Sequence, residues 1–166
     1  MFDAASIEIR PFEERDRSRV LAITEAAWSP VFSVTEGEVP AFVLHNFFPD
    51  GWMPRQLEEV TELLDTESDM MWVALVSKRI AGFVGLREHP RDRMGEIYIV
   101  AVDPAFQRAG VARALIEHSE TVVRQRGLTM MMVETIGDEG HRPARETYEA
   151  IGYVRWPVAR YFKPLD

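Results

Sequence analysis

The chain has 166 residues, of which 46% are hydrophobic and 28% are charged. This length and composition are typical of one domain with a substantial core, and they exclude a disordered or fibrous protein. The net charge of −8 argues against a nucleic-acid partner, because proteins that bind the phosphate backbone normally have a basic surplus. The absence of cysteine excludes disulfides, thiolate metal sites and a cysteine nucleophile.

The sequence predicts no membrane partner, because it has no apolar run of about 18 residues. The amino terminus, Met1–Ala4, lacks the basic segment and apolar stretch of a signal peptide. We therefore expect a cytoplasmic protein and a single domain over residues 1–166. The oligomeric state is left open, with a homodimer as one option.

The first third of the chain is predicted to be mostly helical. Residues 6–10 alternate like a short strand that ends at Pro11, and residues 15–28 have apolar side chains at helical spacing. Ser29-Pro30 is expected to end that helix. Residues 31–51 show little periodicity and suggest a loop with a short helix, and Pro54 opens a further helix.

Strands are predicted in the middle of the chain. Residues 71–77 and 80–86 are apolar runs joined so closely that they indicate an antiparallel hairpin. Residues 95–102 form a third strand, in which an undistorted pleat would place Ile97, Ile99 and Ala101 on one face. The paired methionines 70–71 and the triplet 130–132 are expected to fill the core.

Helices and strands alternate in the last third. A wide apolar stripe predicts a helix over residues 110–126, with Gly127 after its end. Residues 129–135 follow as a strand, residues 142–151 as a helix, and residues 153–162 have strand character. This order of elements indicates a mixed α/β domain.

Residues 100–113 form the most informative segment. They read Val-Ala-Val-Asp-Pro-Ala-Phe-Gln-Arg-Ala-Gly-Val-Ala-Arg, a strand that leads through a loop into a helix. Free N–H groups at the start of such a helix attract anions, and the small residues Gly110 and Ala112 let a phosphate approach the backbone. Arg108 and Arg113 add positive charge nearby. From backbone physics alone, an ordinary strand–loop–helix connection is an equal alternative.

The motif Gln107-x-x-Gly110-x-Ala112 after Val102-Asp103-Pro104 resembles the acyl-CoA pyrophosphate loop of the GNAT N-acetyltransferase superfamily. Ala144-x-x-x-Tyr148-Glu149-Ala150-Ile151-Gly152-Tyr153 is similar to the last-helix motif of that family. Ile9-Arg10-Pro11 and the strand at residues 81–85 match weaker sequence preferences of the family. The resemblance implies an α/β fold: a single GNAT-like domain with a mixed, largely antiparallel central sheet flanked by helices.

The resemblance also implies direct transfer of an acetyl group from acetyl-CoA, as co-substrate, to a primary amine in a ternary complex. The acceptor is either a small molecule or a protein amino group. A non-catalytic acyl-CoA-binding sensor or scaffold with the same fold is the alternative. The implied cofactor-binding residues are these: Val100, Ala101, Val102, Gln107, Arg108, Ala109, Gly110, Val111, Ala112, Arg113 and His141. The last of them stands where the family often has asparagine.

Three side chains are candidates for proton transfer. Glu96 lies where several family members carry the base that deprotonates the amine, and Glu134 is a second candidate base. Tyr148 matches the usual proton donor to the departing thiolate. The structural alternatives are a solvated carboxylate for Glu96, a salt bridge for Glu134 and a packed ring for Tyr148.

The remaining aromatic and histidine residues give weaker indications. The acceptor site of GNAT folds is lined by the region that here contains several aromatic side chains, and core packing is the alternative for them: Trp28, Phe32, Phe47, Phe48 and Trp52. His45, His89 and His118 have no metal-ligand spacing, so we predict no metal site. A base role is the alternative for His141.

Overall fold

A computed structural model describes residues 6–165 of the chain. The expectation about a signal peptide at residues 1–4 lies outside the described residues. The strands are Ile7–Pro11 (β1), Met71–Val76 (β2), Arg79–His89 (β3), Met94–Val102 (β4) and Met130–Val133 (β5). The α-helices are Arg17–Glu38 (α1), Ala41–Phe47 (α2), Trp52–Thr66 (α3), Val111–Gln125 (α4) and Arg142–Ala150 (α5).

The strands form one sheet in the order β1-β2-β3-β4-β5. The first four pair antiparallel, and β5 pairs parallel to β4. The predicted hairpin is β2–β3, and the positive φ angles of Ser77 (49°) and Lys78 (64°) fit the two-residue turn that matches strand twist. The predicted α/β class and the mixed, largely antiparallel sheet are confirmed.

Helices cover both faces of the sheet. On one face, α1 and α3 bury an apolar cluster that includes Val20, Ile23, Val60, Phe83 and Ile99. On the other face, α4 buries a second cluster through Val111, Leu115, Ile116 and Val123. Apolar burial on both faces is what makes this three-layer arrangement stable, and it fixes the orientation of β4.

A bulge in β4 corrects the predicted facing of its side chains. Gly85 pairs with Ile99 and Leu86 pairs with Ile97, so Tyr98 is an extra residue without a partner on β3. One inserted residue moves the following side chains to the other face. Ile97 therefore lies in the α4 cluster, whereas Ile99 and Ala101 lie in the α1/α3 cluster.

The predicted end of the first helix at Ser29-Pro30 is wrong, since α1 continues through Pro30 to Glu38. A proline inside a helix removes one backbone hydrogen bond, at a cost of about 3 kcal/mol. Tertiary contacts beyond the proline offset this cost. Phe32 is buried, and the Thr35 hydroxyl donates to the buried carboxylate of Asp138.

The C-terminal segment forms no strand within the described residues, so the strand character expected at residues 153–162 is not realised. Pro157 lacks the N–H that a sheet ladder needs, and the apolar side chains are left in solvent, with Trp156 81% exposed. High β-propensity alone does not make a strand when no sheet edge pairs with it. Met130 is 49% exposed, so the expectation that the methionine triplet fills the core is also wrong there.

No helix among residues 6–165 combines the length and apolarity needed to cross a membrane. The other predicted elements are present, with ends that differ by a few residues from the expected ones. Residues 110–126 correspond to Val111–Gln125, and residues 142–151 correspond to Arg142–Ala150.

Candidate active site

The sheet divides between β4 and β5. These strands pair only from Met94 with Met130 to Ile97 with Val133, whereas β4 pairs with β3 as far as Val102. The bulge at Tyr98 begins where the parallel pairing stops. The last residues of β4 therefore have one backbone edge without a strand neighbour, in a cleft that opens toward the C-terminal ends of both strands.

The loop after β4 is anchored at its first residue, Asp103. One carboxylate oxygen of Asp103 accepts from the Ala105 N–H at 2.8 Å, and the other accepts from the Arg19 guanidinium of α1. Arg19 also donates to the Ile80 carbonyl at 3.1 Å, which ties α1, β3 and the loop together. Burial would raise the pKa of Asp103, but these donors hold it below its usual value.

The Gln107 N–H donates to the Pro104 carbonyl at 3.4 Å, and the loop then turns so that the backbone donors after Gln107 stay free. Arg108 (φ 60°) and Gly110 (φ 84°) both adopt the left-handed conformation, and Gly110 caps α4. The Ala114 N–H bonds to the Gly110 carbonyl at 3.0 Å, which begins the helical ladder. The N–H groups before it have no helical acceptor, and the positive end of the helix dipole adds to them. Gln107, Arg108 and Ala109 are exposed, as an incoming phosphate requires.

Tyr148 lies on the face of the sheet that α4 covers. Its ring packs with the α4 cluster, to which Val100 and Val102 of β4 and Val133 of β5 also contribute. The Tyr153 ring stands 6.1 Å from it. Burial raises the pKa of the Tyr148 phenol to about 12, so the hydroxyl is protonated at neutral pH and able to donate a proton.

Glu96 lies on the opposite face of the sheet from Tyr148, because its neighbour Ile97 points into the α4 cluster. The Glu96 carboxylate is mostly buried, with 17% of its side chain exposed, and its Oε2 lies 2.6 Å from His89 Nε2. It is one residue before the end of the β4–β5 pairing. Glu96 therefore lies close to the point where β4 and β5 separate, and its carboxylate is held by one histidine.

Glu134, the second candidate base, lies one residue beyond β5 rather than inside it. Its side chain is 70% exposed and its carboxylate is 3.3 Å from the Arg160 guanidinium. Glu134 is therefore solvated and ion-paired, as its structural alternative, a salt bridge, expects. The mostly buried Glu96 is further from its own alternative, a solvated carboxylate.

His141 caps α5 and is held by a buried carboxylate. Asp138 Oδ1 accepts from the His141 N–H at 3.0 Å and lies 2.5 Å from its Nδ1, while Oδ2 accepts from Thr35 of α1. Arg145 donates to the Asp138 carbonyl at 2.6 Å. The loop is pressed against α1, since a Cβ on Gly140 would stand 2.8 Å from the Val31 carbonyl oxygen. Because Asp138 occupies Nδ1, a cofactor contact by the His141 ring would use Nε2.

Four residues that hold the candidate site were not predicted from the sequence: Arg19, Thr35, His89 and Asp138. Two of them leave a local signal. Strand register across the β3–β4 hairpin sets Arg87 opposite Glu96, which brings His89 within reach of that carboxylate. The spacing Asp138-x-x-His141 is short enough for the aspartate to accept from the backbone N–H three residues later, as short polar side chains often do in loops. Arg19 and Thr35 act over long sequence distances and leave no such signal.

The aromatic residues of the first third do form a cluster. The Phe32 and Trp52 rings stack at 4.8 Å, Phe48 meets Phe32 edge-on at 5.2 Å, and Phe47 lies 6.2 Å from Phe48. Trp28 instead packs against the α1/α3 core. No group of three or more acidic or histidine side chains in residues 6–165 is arranged to hold a metal ion.

The divided sheet, the anchored loop and the helix-capping Gly110 together define an acyltransferase-like α/β fold. Residues 33–153 match the model of the acetyltransferase (GNAT) family. The chain belongs to this family, which confirms the resemblance drawn from its motifs.

The relatives by sequence include mycothiol acetyltransferases. That of Thermomonospora curvata is 40% identical over 80 residues, which are 48% of this chain and 26% of the relative. That of Thermobifida fusca is 32% identical over 108 residues, or 61% of this chain and 33% of the relative. The chain thus spans about a quarter to a third of the length of these curated relatives.

Solved structures share the fold at lower identity. The ribosomal-protein-S18-alanine N-acetyltransferase of Escherichia coli has a TM-score of 0.67 at 18% identity, covering 96% of this chain and 85% of that one. The PaiA N-acetyltransferase of Thermoplasma acidophilum in complex with coenzyme A has a TM-score of 0.66 at 14% identity, covering 87% and 88%.

Proposed function

We propose that the chain transfers the acetyl group of acetyl-CoA to a primary amine by direct attack within a ternary complex. One observation supports this most strongly. The sheet opens between β4 and β5 at the point where a loop with free N–H groups enters α4. This arrangement offers one site for the diphosphate and an adjacent cleft for the thioester arm.

The diphosphate is bound mainly by backbone N–H groups of residues 107–113, with Arg108 and Arg113 contributing charge at the edge. The N–H donors and the helix dipole act together on an anion at this position. In the cleft, the free edge of β4 at residues 100–102 provides backbone donors for the thioester carbonyl. Donors placed there stabilise the oxyanion that develops when the amine attacks.

Glu96 accepts the proton of the attacking amine, directly or through a water molecule. The amine nitrogen then forms a bond to the carbonyl carbon, the carbon–sulfur bond breaks, and coenzyme A leaves as its thiol. Tyr148, whose phenol keeps its proton at neutral pH, supplies the proton to the departing sulfur. His141 contributes a cofactor contact through its Nε2.

The test measures thiol release from acetyl-CoA with a panel of alkyl, aryl and peptide amines, beside calorimetry of acetyl-CoA binding. We expect amine-dependent release and saturable binding. Binding without release for every amine would favour an acyl-CoA sensor, and absence of binding would overturn the proposal.

Two variants test whether the backbone of the loop binds the diphosphate. Gly110→Val places a branched side chain where φ is 84°, in a conformation that favours glycine, and blocks the approach to the N–H groups. Arg108→Asn removes only charge, because asparagine tolerates the left-handed conformation. We expect Gly110→Val to lose acetyl-CoA affinity and Arg108→Asn to retain most of it. Equal losses in the two variants would contradict binding by the backbone.

A further inference from the structure

The bulge in β4 separates two parts of the proposed site. Glu96 lies before it, where β4 still pairs with β5, and residues 100–102 lie after it, where the edge toward β5 is free. Within residues 6–165, the inserted residue Tyr98 has no partner in the register of β3 or of β5. A bulged residue sets the local bend and twist of its strand. The conformation at Tyr98 therefore depends on side-chain contacts rather than on a backbone ladder.

Arg87 of β3 contacts the Tyr98 side chain. Its guanidinium carbon lies 3.5 Å from the centre of the Tyr98 ring, which is a close cation–π contact. Arg87 pairs with Glu96 in the strand register, and Tyr98 follows Glu96 by two residues, so the three side chains lie on one face of the sheet. The contact joins β3 to β4 at the bulge, where the ladder between the two strands is interrupted.

Arg87 is itself held by the end of α3. The carboxylate of Glu67, the first residue after that helix, accepts from Arg87 Nε at 3.0 Å and from Nη2 at 2.7 Å. Two bonds of this kind fix the plane of the guanidinium as well as its position. They lower the pKa of Glu67, so the pair is charged at neutral pH. The Glu67 N–H donates to the carbonyl of Leu63, a core residue of α3, at 2.8 Å. A packed helix is therefore connected to the inserted residue through two side chains.

We propose that Glu67, Arg87 and Tyr98, which we call the bulge clamp, position the reacting groups of the site. The inference rests on the proposed function and adds positioning residues to it. Glu96 has to reach the amine while the N–H groups of residues 100–102 reach the thioester oxygen, and the bulge sets the separation between them. Misplacement of reacting groups by about 1 Å can cost about 10²-fold in rate. The clamp acts through the backbone of β4, without a proton-transfer step of its own.

The first experiment compares Tyr98→Ala with Tyr98→Phe. Alanine removes the ring, whereas phenylalanine keeps the ring face that Arg87 contacts. We expect Tyr98→Ala to lower kcat for thiol release by about 10- to 100-fold and to leave acetyl-CoA affinity, measured by calorimetry, nearly unchanged, because the loop that binds the diphosphate is untouched. Tyr98→Phe should keep most of the wild-type rate. Equal losses in the two variants, or no loss in Tyr98→Ala, would overturn the clamp.

The second experiment tests whether the three side chains act as a unit. Arg87→Leu should lower kcat about as much as Tyr98→Ala, and the double variant should lose little more, since each single change already breaks the same contact. Independent losses that multiply would overturn the clamp. Glu67→Gln has a matched control in Glu88→Gln, which removes an ion pair of β3 with Arg126, at 2.9 Å, on the opposite face. Glu67→Gln should lower kcat and Glu88→Gln should not, and equal effects of these two changes would contradict the clamp.

Amide hydrogen exchange on peptides covering residues 96–103, measured without substrate, separates the clamp from the chemistry. Exchange there should be faster in Tyr98→Ala and Arg87→Leu but not in Tyr98→Phe or Glu88→Gln, because the bulge loosens only where the contact is lost. Unchanged exchange in Tyr98→Ala would overturn the clamp whether or not the chain transfers acetyl groups. Faster exchange in that variant, together with no thiol release by wild type for any amine, would overturn the proposed function and leave the clamp as the support of the bulge.

Discussion

Residues 6–165 contain two histidine–carboxylate pairs of nearly equal length that differ in what else binds the carboxylate. His89 and Glu96 approach to 2.6 Å, and His141 and Asp138 approach to 2.5 Å. In the first pair the histidine is the more exposed member, at 39% against 17% for Glu96. In the second pair the Asp138 side chain is only 4% exposed.

The difference lies in the number of donors around each carboxylate. Asp138 uses both oxygens, for Thr35 and for the ring and backbone N–H of His141. Burial by itself would raise the pKa of Asp138, but these hydrogen bonds outweigh it and hold the pKa below its usual value. Glu96 contacts His89 through Oε2 alone among the described residues. The carboxylate of Asp138 holds a loop in place, whereas Glu96 has one oxygen without a protein donor among the described residues, as its proposed role as a base requires.

The largest effect is expected for Glu96→Gln. Glutamine keeps the size of the side chain but cannot accept the amine proton, so kcat should fall roughly 10²- to 10⁴-fold. Steady-state kinetics with a saturating amine gives the value. His89→Gln is the control, since it retains a donor near Oε2 and should cost much less. A smaller loss for Glu96→Gln than for Glu134→Gln would place the base at the end of β5.

The next largest effect concerns the proton donor on α5, the helix that His141 caps. Tyr148→Phe removes the hydroxyl but keeps the packed ring, so kcat should fall by about 10²-fold while acetyl-CoA affinity is nearly unchanged. Kinetics and calorimetry on the same preparation separate the two quantities. An unaltered kcat would show that Tyr148 only packs.

The Asp138–His141 pair is expected to contribute to the stability of the fold. Asp138→Asn leaves buried donors poorly matched and should lower the free energy of unfolding by about 1–3 kcal/mol in urea titrations. Thr35→Val removes a single hydrogen bond and should cost about 0.5–1.5 kcal/mol. Because the folded-state pKa of Asp138 is lowered, its contribution is complete above the ordinary aspartate pKa and is lost as the pH falls through the folded-state value. The gap between wild type and Asp138→Asn should therefore narrow below about pH 4; a constant gap would contradict the charged state of Asp138.

A third histidine, without a carboxylate partner, gives the smallest expected effect. His118 of α4 packs edge-on against Trp72 at 5.6 Å, its Nε2 is buried without a hydrogen-bond partner in the described chain, and burial lowers its pKa. The unfolded chain then binds a proton more readily than the folded one, so stability falls as the pH drops below about 6.5. Thermal unfolding between pH 7.5 and 5.5 should show a shallower loss for His118→Phe. An identical slope would mean that the buried ring takes up a proton without cost.

Sequence patterns predicted the parts of the fold that depend on local order. The apolar run of β4, the apolar stripe of α4 and the Gln107–Gly110 spacing all reflect contacts within a few residues or between neighbouring strands. They gave the sheet, its helices and the loop after β4.

The features that the sequence did not predict depend on distant partners. The continuation of α1 through Pro30 is supported by the contact between Thr35 and Asp138, which are 103 residues apart. The facing of Ile97 depends on one inserted residue at Tyr98, which no periodicity marks. The His89–Glu96 and Asp138–His141 contacts were not predicted either, because only the fold brings each partner to Glu96 and to His141.

Glu96 is proposed as the base and His141 as a cofactor contact. The most direct test of these two roles is the pH dependence of kcat/KM for Glu96→Gln and His141→Gln, measured side by side with wild type. The proposed roles predict that Glu96→Gln lowers the rate and removes the acidic limb of the profile. They predict that His141→Gln keeps the limb at its original position, with any loss confined to the KM for acetyl-CoA. An acidic limb that persists in Glu96→Gln and disappears in His141→Gln would contradict the assignment and make the Asp138–His141 pair the base.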